Sequence, residues 1–490
     1  MPRVFLRVLD GANSIGGNKI ALTIDDEGIF LDFGVNMKKK REYILGYRAL
    51  TVANKLYYYL YSEILPRASG IYRRDLIELD ERIRRILDRG LSLEVSMAII
   101  SHGHVDHYGA VGFLSEDIAI AVSNSMKTIM ESMIESSSIS DVEGEIFTIK
   151  NRKENLRRGE RKARELEVFE EGKRIRGAPF AVIPYPVDHS LPASFGFLVE
   201  DASLAYTGDI RKHGLLSGFT ERFIEKVSGV DYLLIEGTRI DSSIRISEEE
   251  VSREIRNYVK EKEDKLSCVI VSPTDVDRVR ELIELSRELG RKPVISPRVT
   301  YLIDKLEESG SKITVPKLGD VGIYFERRSL TEGGYDLKSI HYRKWLKNVY
   351  LDRVDGKRKG DLVKPEEIGR KQDKYLLILN GLDYVLELAQ IGPTPGSRVI
   401  VSTSEPHDEE QEIEWSKFEK WVHLLRLDLR NVHSSGHADR ESLIEIIEEI
   451  KPRKIIPIHT ENPYEFQRLR RIGEIRSEVI LPKPEEAIEL

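Results

Sequence analysis

The sequence predicts an α/β protein, and three features of its pattern support this fold class. Short apolar runs rich in β-branched residues alternate with segments of helical spacing through residues 246–431. The amino-terminal part opens with three strand-like segments. Histidines and carboxylates follow directly after apolar runs, which is where α/β proteins commonly build their sites. The 490 residues are enough for two or three domains.

The first hundred residues are predicted to contain three strands, a turn and a helix. The strands cover Val4 to Leu9, Lys19 to Ile24 and Gly28 to Phe33, with glycine-rich turns nearby. Lys38 to Arg41 is predicted as a basic turn. Tyr57 to Tyr61 belongs to a helical stretch, whose tyrosines we interpret as packing residues, with base stacking as the alternative.

A parallel sheet is predicted for the second half of the chain. Leu266 to Val271 is an apolar β-rich run, and helical spacing then leads from Val276 to Leu289. Gly290 is suited to end this helix. Further strands are predicted at Pro293 to Ile295, Leu376 to Leu379 and Val399 to Val401. Strands that alternate with helices in this way are typical of a parallel sheet.

Two polar segments leave their roles open. Residues 150–176 alternate Lys and Arg with Glu, which favours a solvated hairpin or helix over a direct RNA contact. Residues 325–372 contain Tyr342, Trp345 and Tyr350 among many basic residues, including Arg327 and Arg328. Aromatic and basic residues mixed in this way suit single-stranded nucleic acid, and an ordinary exposed loop explains the segment equally well.

The composition is that of a highly charged globular protein. Charged residues make up 32%, and the formal net charge is −7, which does not indicate a nucleic-acid-binding protein. The 76 Lys and Arg residues could still form a local basic groove. One cysteine, Cys268, excludes an intrachain disulfide and leaves zinc to His and Asp ligands. Without a signal peptide or an apolar run of about 18 residues, we expect a cytoplasmic protein with no membrane partner.

Residues 102–107 form the most informative segment of the chain. They read H-x-H-x-D-H and lie between an apolar run, predicted as a strand, and Tyr108 to Leu114, predicted as the start of a helix. Neutral imidazole and carboxylate groups are ligands that suit Zn²⁺ and related ions. On such a loop the ligands can serve two metal ions, His102 with His104 and Asp106 with His107.

Three further candidate ligands follow other apolar runs. His189, Asp209 and His459 each come directly after a predicted strand. Taken singly, each is more often a capping or buried hydrogen-bonding residue. Together with the first array, they predict a metal site with a carboxylate that can bridge two ions.

These motifs resemble the metallo-β-lactamase superfamily and, within it, the β-CASP nucleases. The H-x-H-x-D-H array is followed by a lone His and by T-G-D at 207–209. The segments around Glu236, His437 and His459 are similar to motifs A, B and C of the β-CASP group. The amino-terminal Gly11 to Asn18 and L-D-F-G at 31–34 also match, so the resemblance extends from residue 11 to residue 461.

The resemblance implies a fold and a domain organisation. It implies a metallo-β-lactamase αββα sandwich formed by residues 1–245 and 432–490. An α/β domain with a mainly parallel sheet, the β-CASP domain, would be inserted at 246–431.

The resemblance also implies the roles of individual residues. His102, His104 and His189 would hold one zinc ion, and Asp106, His107 and His459 the other, with Mn²⁺ as the alternative metal. Asp209 would bridge the two ions, and Asp32 would orient the histidine loop without touching metal. Glu236 and His437 would pair beside the scissile phosphate and act with Asp106 and Asp209 in catalysis. Donors for a substrate phosphate would come from His433, Ser434, Ser435, Gly436 and Ala438, which could equally be only the scaffold of His437.

The function implied is that of a ribonuclease. It would hydrolyse phosphodiester bonds of single-stranded RNA through a hydroxide activated by two zinc ions. Within the group the chain is most like archaeal ribonuclease J, which implies a 5′-to-3′ exonuclease, with a homodimer as one expected assembly. A cleavage-factor-like endoribonuclease, a DNA nuclease and a non-catalytic RNA-binding subunit are the alternatives. Ser14 stands where related nucleases usually have Glu, and the inserts at 35–95 and 316–375 have no assigned role.

Overall fold

The computed structural model describes residues 3–45, 50–137, 141–150, 161–326, 342–403, 409–484 and 486–490. The chain divides into two compact units. The first consists of Met1–Lys127, Ile139–Ile244 and Gly436–Leu490, and the second of Thr128–Ser138 and Arg245–Ser435. The domain names and limits inferred from the sequence stay predictions.

The strands are numbered in chain order. They are β1 Val4–Asp10, β2 Lys19–Ile24, β3 Glu27–Phe33, β4 Ala68–Ser69, β5 Leu91–Ser92, β6 Met97–Ile99, β7 Ala119–Ser123, β8 Thr148–Lys150, β9 Arg161–Ala163, β10 Leu166–Phe169, β11 Val182–Val187, β12 Ser194–Val199, β13 Leu204–Tyr206, β14 Tyr232–Glu236, β15 Ser267–Val271, β16 Lys292–Ile295, β17 Gly322–Tyr324, β18 Asp361–Val363, β19 Tyr375–Asn380, β20 Arg398–Ser402, β21 Asp428–Asn431, β22 Lys454–Ile458, β23 Glu478–Val479 and β24 Ala487–Glu489.

The α-helices are numbered in the same way. They are α1 Met37–Tyr43, α2 Val52–Tyr61, α3 Arg74–Ile77, α4 Glu81–Leu87, α5 Val105–Tyr108, α6 Asn124–Ser136, α7 Ser217–Val227, α8 Glu248–Lys260, α9 Val276–Glu288, α10 Pro297–Glu308, α11 Lys344–Val354, α12 Pro365–Arg370, α13 Val385–Ile391, α14 Glu409–Leu424, α15 Arg440–Ile450 and α16 Tyr464–Ile472.

The first unit contains two large mixed sheets. The seven-stranded sheet has the order β10-β7-β6-β3-β2-β1-β24, and the six-stranded sheet the order β11-β12-β13-β14-β22-β23. In the second sheet β13, β14, β22 and β23 run parallel to one another. Helices α7, α15 and α16 cover this sheet with a cluster of buried side chains that includes Phe223, Ile447 and Phe466. The carboxyl ends of these neighbouring parallel strands therefore meet at one edge.

The second unit is built on a parallel sheet, as the sequence predicts. Its order is β18-β17-β16-β19-β15-β20-β21, and all of these pairs are parallel. Side chains alternate between its faces: Val269 and Ile378 pack with α8 to α11, whereas Cys268 and Leu377 pack with α12 to α14. A strand buried on both faces needs apolar residues at successive positions, which explains the continuous apolar runs in this half of the sequence.

Two local predictions were wrong. Lys38 to Arg41 lies inside α1, where Asn36 caps the helix by accepting a hydrogen bond from the backbone of Lys39 at 3.0 Å. The helix predicted from Tyr108 to Leu114 instead begins within the metal-binding motif, as the single-turn α5, and a 3₁₀ turn at Val111–Phe113 follows it. Gly109 ends α5, and a Cβ there would lie 2.5 Å from the carbonyl oxygen of Val105.

The basic segment at 325–372 contributes packing residues at Tyr342, Trp345 and Tyr350. Tyr350 is fully buried and Tyr342 is 7% exposed, and both belong to one hydrophobic cluster of the second unit. Trp345 packs against the same cluster. The rings of Tyr342 and Tyr350 are therefore not available for stacking on bases, whereas Trp345 is half-buried. Arg327 and Arg328 lie outside the described residues.

Of the helices that the structure describes, none combines the length and the apolar character of a membrane-spanning segment.

Candidate metal centre

The candidate ligands are carried by loops at one edge of the first unit. His102 and His104 lie between β6 and α5, and Asp106 and His107 lie in α5. His189 follows β11, Asp209 follows β13, and His459 follows β22. Strands β13 and β22 lie on either side of β14 and run parallel to it. Their carboxyl ends therefore bring Asp209 and His459 together.

Unusual backbone conformations place two of the side chains. Asp32 and His459 adopt positive φ values of 62° and 50°, which non-glycine residues rarely use and which cluster at functional sites. The loop after β3 also approaches α5 very closely. A Cβ on Gly34 would lie 1.6 Å from the carbonyl oxygen of Asp106, so only glycine fits there.

The first group of ligand atoms contains His102, His104, His189 and Asp209. Nε2 of His102 and Nε2 of His189 lie 3.0 and 3.2 Å from Nδ1 of His104. Oδ2 of Asp209 lies 3.4 Å from Nε2 of His102 and 3.8 Å from Nε2 of His189. All four ligand atoms lie within 4.8 Å of one another, which is close enough for one ion to contact them all.

The second group contains Asp106, His107 and His459. Oδ2 of Asp106 lies 3.2 Å from Nε2 of His459 and 3.7 Å from Nε2 of His107. Asp209 reaches this group as well, with Oδ2 at 3.3 Å from Nε2 of His107 and Oδ1 at 3.8 Å from Nε2 of His459. Asp209 is therefore the carboxylate that touches both groups.

Burial and neighbouring charges set the ionisation of the ligands. Burial lowers the pKa of His102, His104 and His189, which keeps these imidazoles neutral and able to donate a lone pair. Burial raises the pKa of Asp209, but His107 and His459 outweigh it and hold that pKa well below the ordinary value. Burial also lowers the pKa of His107, but Asp209, Asp106 and Asp32 outweigh it and raise that pKa well above the ordinary value, so this imidazole would release a proton on binding an ion. Imidazole nitrogens together with an ionised carboxylate suit a divalent ion.

Asp32 holds the histidine loop in place through hydrogen bonds. It accepts hydrogen bonds from the backbone N–H of Ser101 at 2.7 Å, from Oγ of Ser101 at 2.7 Å and from the hydroxyl of Tyr206 at 2.5 Å. Nδ1 of His107 lies 2.7 Å from Oδ2 of Asp32, which leaves Nε2 of His107 to face Asp209. A carboxylate in this position fixes the tautomer of a metal-binding imidazole.

Buried polar atoms that lack a hydrogen-bond partner indicate where a metal ion would fit. Among the described residues, Nε2 of His107 and Oδ1 of Asp209 are buried polar atoms without a hydrogen-bond partner. Buried polar atoms are normally satisfied, and an orphaned pair at a His/Asp cluster is explained by an ion that both atoms can bind. The residues therefore fit a metal site.

Glu236 and His437 lie beside the ligand groups. Oε1 of Glu236 is 3.0 Å from Nδ1 of His437, and the buried carboxylate also accepts from the backbone of Ile210 and Thr238 at 3.1 Å. Burial lowers the pKa of His437, but Glu236 and Asp209 outweigh it and raise the pKa to about 9. The imidazole is 21% exposed, and Nδ1 lies 3.9 Å from Asp209.

Of the residues predicted to contact a substrate phosphate, three take part in the scaffold. The carbonyl oxygen of Gly436 lies 2.6 Å from Nδ1 of His189, and the backbone N–H of Ala438 donates to Ile210 at 2.7 Å. The hydroxyl of Ser434 donates to the carbonyl oxygen of Ile246 at 2.8 Å. His433 and Ser435 are half-buried. Phosphate binding by this segment stays a prediction.

Comparison with known proteins agrees with the site. Residues 424–475 match the RMMBL family, described as the Zn-dependent metallo-hydrolase RNA specificity domain. Ribonuclease J of Methanocaldococcus jannaschii is 21% identical over 472 residues, covering 92% of this chain and 90% of that protein. The chain is thus similar to ribonuclease J proteins over most of its length.

Two further comparisons concern a second ribonuclease J and a solved structure. Ribonuclease J of Sinorhizobium meliloti is 25% identical over 374 residues, which cover 74% of this chain. The matched region spans only 57% of that relative's own length. A crystal structure of a protein of unknown function from Enterococcus faecalis V583 covers the whole chain with a TM-score of 0.70 at 20% identity, and so shares the fold.

The sequence did not single out the residues that hold the ligands of this ribonuclease J-like protein. Ser101, Tyr206 and Thr238 each contact a ligand or Asp32. A signal was present, because each stands within three residues of a predicted site residue at the end of a strand. Hydroxyl side chains at such positions are common, however, and only their distances show what they do.

Proposed function

We propose that this chain is a metal-dependent ribonuclease acting on single-stranded RNA. The observation that carries the proposal is the pair of His/Asp groups that share Asp209 and lie beside Glu236 and His437. Two ligand groups with a shared carboxylate suit in-line attack on a phosphodiester. The match to an RNA specificity domain and the similarity to ribonuclease J proteins support RNA as the substrate.

The two ligand groups would hold two zinc ions, with Mn²⁺ as the alternative. His102, His104 and His189 would bind one ion, Asp106, His107 and His459 the other, and Asp209 both. When bound, such ions supply Lewis acidity that activates water near neutral pH and balances charge on a phosphoryl group. These seven ligands include no cysteine, which agrees with an ion that accepts nitrogen and oxygen donors.

His437 would act as the general acid that protonates the leaving group. Its Nδ1 faces Glu236, so its Nε2 is the nitrogen that can donate a proton to the departing oxygen. Glu236 would act by holding the ring in this orientation, because its other oxygen is bound by the backbone of Thr238. Asp32 would act in the same indirect way on His107.

Similarity to ribonuclease J along most of the chain favours a 5′-to-3′ exonuclease over the endonuclease, DNA nuclease and RNA-binding alternatives. One experiment separates them. End-labelled single-stranded RNA carrying a 5′ monophosphate or a 5′ triphosphate is incubated with the metal-loaded protein, with a DNA copy alongside. We expect mononucleotide release that prefers the 5′ monophosphate.

The control proteins are Asp209→Ala and Asp26→Ala, the latter replacing an exposed carboxylate of the same unit. We expect Asp209→Ala to lose cleavage and Asp26→Ala to keep it. Discrete internal cuts would instead indicate an endonuclease, and faster cleavage of DNA would overturn the RNA assignment. RNA binding without cleavage by the unaltered protein would indicate a non-catalytic subunit. Cytoplasmic location and a homodimer stay predictions of the sequence.

A further inference from the structure

The insert at residues 35–95 differs in charge and composition from the rest of the chain. It contains 13 Lys and Arg against 8 Asp and Glu, although the whole chain has a net charge of −7. It also holds 7 of the 20 tyrosines in about an eighth of the length. The proposed chemistry uses none of these residues. The insert is therefore a basic, tyrosine-rich element within an acidic protein.

Helix α2 presents part of this tyrosine content to solvent. Tyr59 is buried against the core of the first unit, whereas Tyr58 is 42% exposed and Tyr61 is 66% exposed. The ring of Tyr57 lies 5.4 Å from the ring of Tyr58 and 5.9 Å from that of Tyr61. The interpretation of all these tyrosines as packing residues was therefore wrong for the outer face. We call Tyr57, Tyr58 and Tyr61 the tyrosine face.

Arginines of α4 adjoin the tyrosine face. The guanidinium of Arg82 lies 4.0 Å from the centre of the Tyr57 ring, a distance typical of cation–π stacking. Arg84 and Arg85 follow on the same helix and are exposed. Within the ranges that the structure describes, neither of these two arginines has an ion-pair partner. Arg82 itself is paired with Asp80, so the uncompensated positive charge on this helix comes from Arg84 and Arg85.

The insert is anchored to the loops of the metal centre. The backbone N–H of Val35, just before α1, donates to the carbonyl oxygen of Val105 at 3.2 Å. Nζ of Lys38 lies 2.7 Å from Glu461, two residues after His459. Lys40 of α1 and Tyr59 of α2 both bind Glu143, which joins the two helices. A single-stranded RNA that extends beyond the metal centre could therefore reach the insert.

We infer that the tyrosine face and the arginines of α4 form a second contact surface for single-stranded RNA, outside the metal centre. Exposed rings interleaved with cations suit a flexible polyanion, because bases stack on the rings and phosphates pair with the guanidinium groups. The insert carries 13 Lys and Arg against 8 Asp and Glu, and this excess of positive charge favours a polyanion as the occupant of the surface. The inference rests on the proposed ribonuclease function for the choice of RNA.

The test measures how affinity depends on RNA length. A fluorescent phosphorothioate oligo-adenylate, which resists cleavage, is titrated with the metal-loaded full-length protein at about 5 and about 20 nucleotides. The double variant Tyr58→Ala/Tyr61→Ala is compared with the unaltered protein. We expect the variant to bind the long oligomer about tenfold or more weakly, because each stacked base contributes on that order, and to bind the short oligomer equally well.

Two controls separate stacking from other causes. Tyr58→Phe/Tyr61→Phe keeps the rings and should keep the affinity for the long oligomer. Trp421→Ala removes an aromatic side chain of the second unit that is 38% exposed, comparable to Tyr58, and should also leave it unchanged. Unaltered affinity of the alanine variant, or equal loss for both RNA lengths, would overturn the inference. So would a change in oligomeric state in place of a change in RNA affinity.

The outcomes also distinguish this inference from the proposed function. A protein that binds the long RNA through the tyrosine face but never cleaves RNA would support the inference and overturn the ribonuclease. A protein that cleaves RNA while its affinity does not increase with length would overturn the inference alone. A protein that binds neither RNA would overturn both.

Discussion

The hydroxyl of Thr238 lies 2.8 Å from Nδ1 of His459 and 3.2 Å from the carbonyl oxygen of the same residue. A hydroxyl that donates to the carbonyl oxygen can only accept from the ring, so Nδ1 of His459 carries the proton. Nε2 then keeps its lone pair and faces Asp106 and Asp209. One threonine thus selects the tautomer that a metal ligand needs.

Replacement of Thr238 by Val should weaken metal binding by about 10- to 100-fold, because partners of this kind commonly contribute that much to metal affinity. Competition with a chromogenic chelator measures the change directly. Thr238→Ser keeps the hydroxyl and should stay near the unaltered protein. Equal metal affinity of the Val and Ser variants would contradict the assigned role.

Replacement of Asp32 by Asn should destabilise the first unit even without metal. In this fully buried position one carboxylate oxygen accepts from the hydroxyls of Ser101 and Tyr206 and pairs with His107, and the other accepts from the backbone N–H of Ser101. Either orientation of an amide therefore turns its NH₂ group toward a donor. Each buried donor left without an acceptor costs about 1–3 kcal/mol. Urea unfolding in the presence of a chelator, followed by circular dichroism, gives the difference.

The exposed Asp26→Asn variant serves as the control for the same chemical change and should unfold at the same urea concentration as the unaltered protein. An unchanged midpoint for the Asp32 variant would mean that its hydrogen bonds contribute little to stability.

Replacement of His437 by Gln should remove cleavage and leave the metal ions in place. The side chain pairs with Glu236. It also lies with Asp209 and His459 in a third group of possible ligand atoms, but neither of the two ligand groups described above includes it. General acid–base catalysis contributes about 10²- to 10⁴-fold, so the cleavage rate should fall by that factor. Metal content measured on the same preparation tests the separation. Loss of metal together with activity would make His437 a ligand.

Glu326 makes the second unit less stable as the pH rises. Burial and the charges of Glu387 and Asp383 raise its pKa to about 7, against the opposing effects of Tyr384 and Arg298. The native state therefore holds this proton more tightly than the unfolded chain does. The free energy of unfolding should fall as the pH rises from about 4.5 through 7. Below that window the protonated carboxyl has no such cost.

Glu326→Gln should remove this pH dependence, because an amide does not titrate. The amide oxygen can still accept the hydrogen bond from Tyr384, so the local packing is kept. At pH 8 the variant should be the more stable protein by about 1 to 3 kcal/mol, and at pH 4 the two should be alike. Fluorescence reports the unit in question, since all tryptophans belong to it: Trp345, Trp415 and Trp421. The exposed Glu412→Gln is the matched control, and a parallel pH profile for both variants would contradict the prediction.

The sequence predicted elements well where burial is uniform along a strand. Leu266 to Val271, apart from Ser267, and Val399 to Val401 are apolar because both faces of the parallel sheet are covered, and they form β15 and β20. The sequence-based predictions were wrong where a helix cap or a tertiary contact decides the local structure. Lys38 to Arg41 forms a helix because Asn36 caps it, and Tyr342 is buried by the second unit's own helices.

The chemical types at the metal centre could be predicted from the sequence, because the H-x-H-x-D-H array together with further imidazole and carboxylate groups after strands suits metal binding. Only the tertiary structure decided which of them meet: Asp209 reaches both ligand groups because β13 and β22 end at the same edge of one sheet. The tertiary structure also decided the roles of Thr238 and Tyr206, because it brings their hydroxyls within hydrogen-bond distance of His459 and Asp32. Adjacency in space depends on strand pairing between residues far apart in the chain, and local sequence patterns do not encode it.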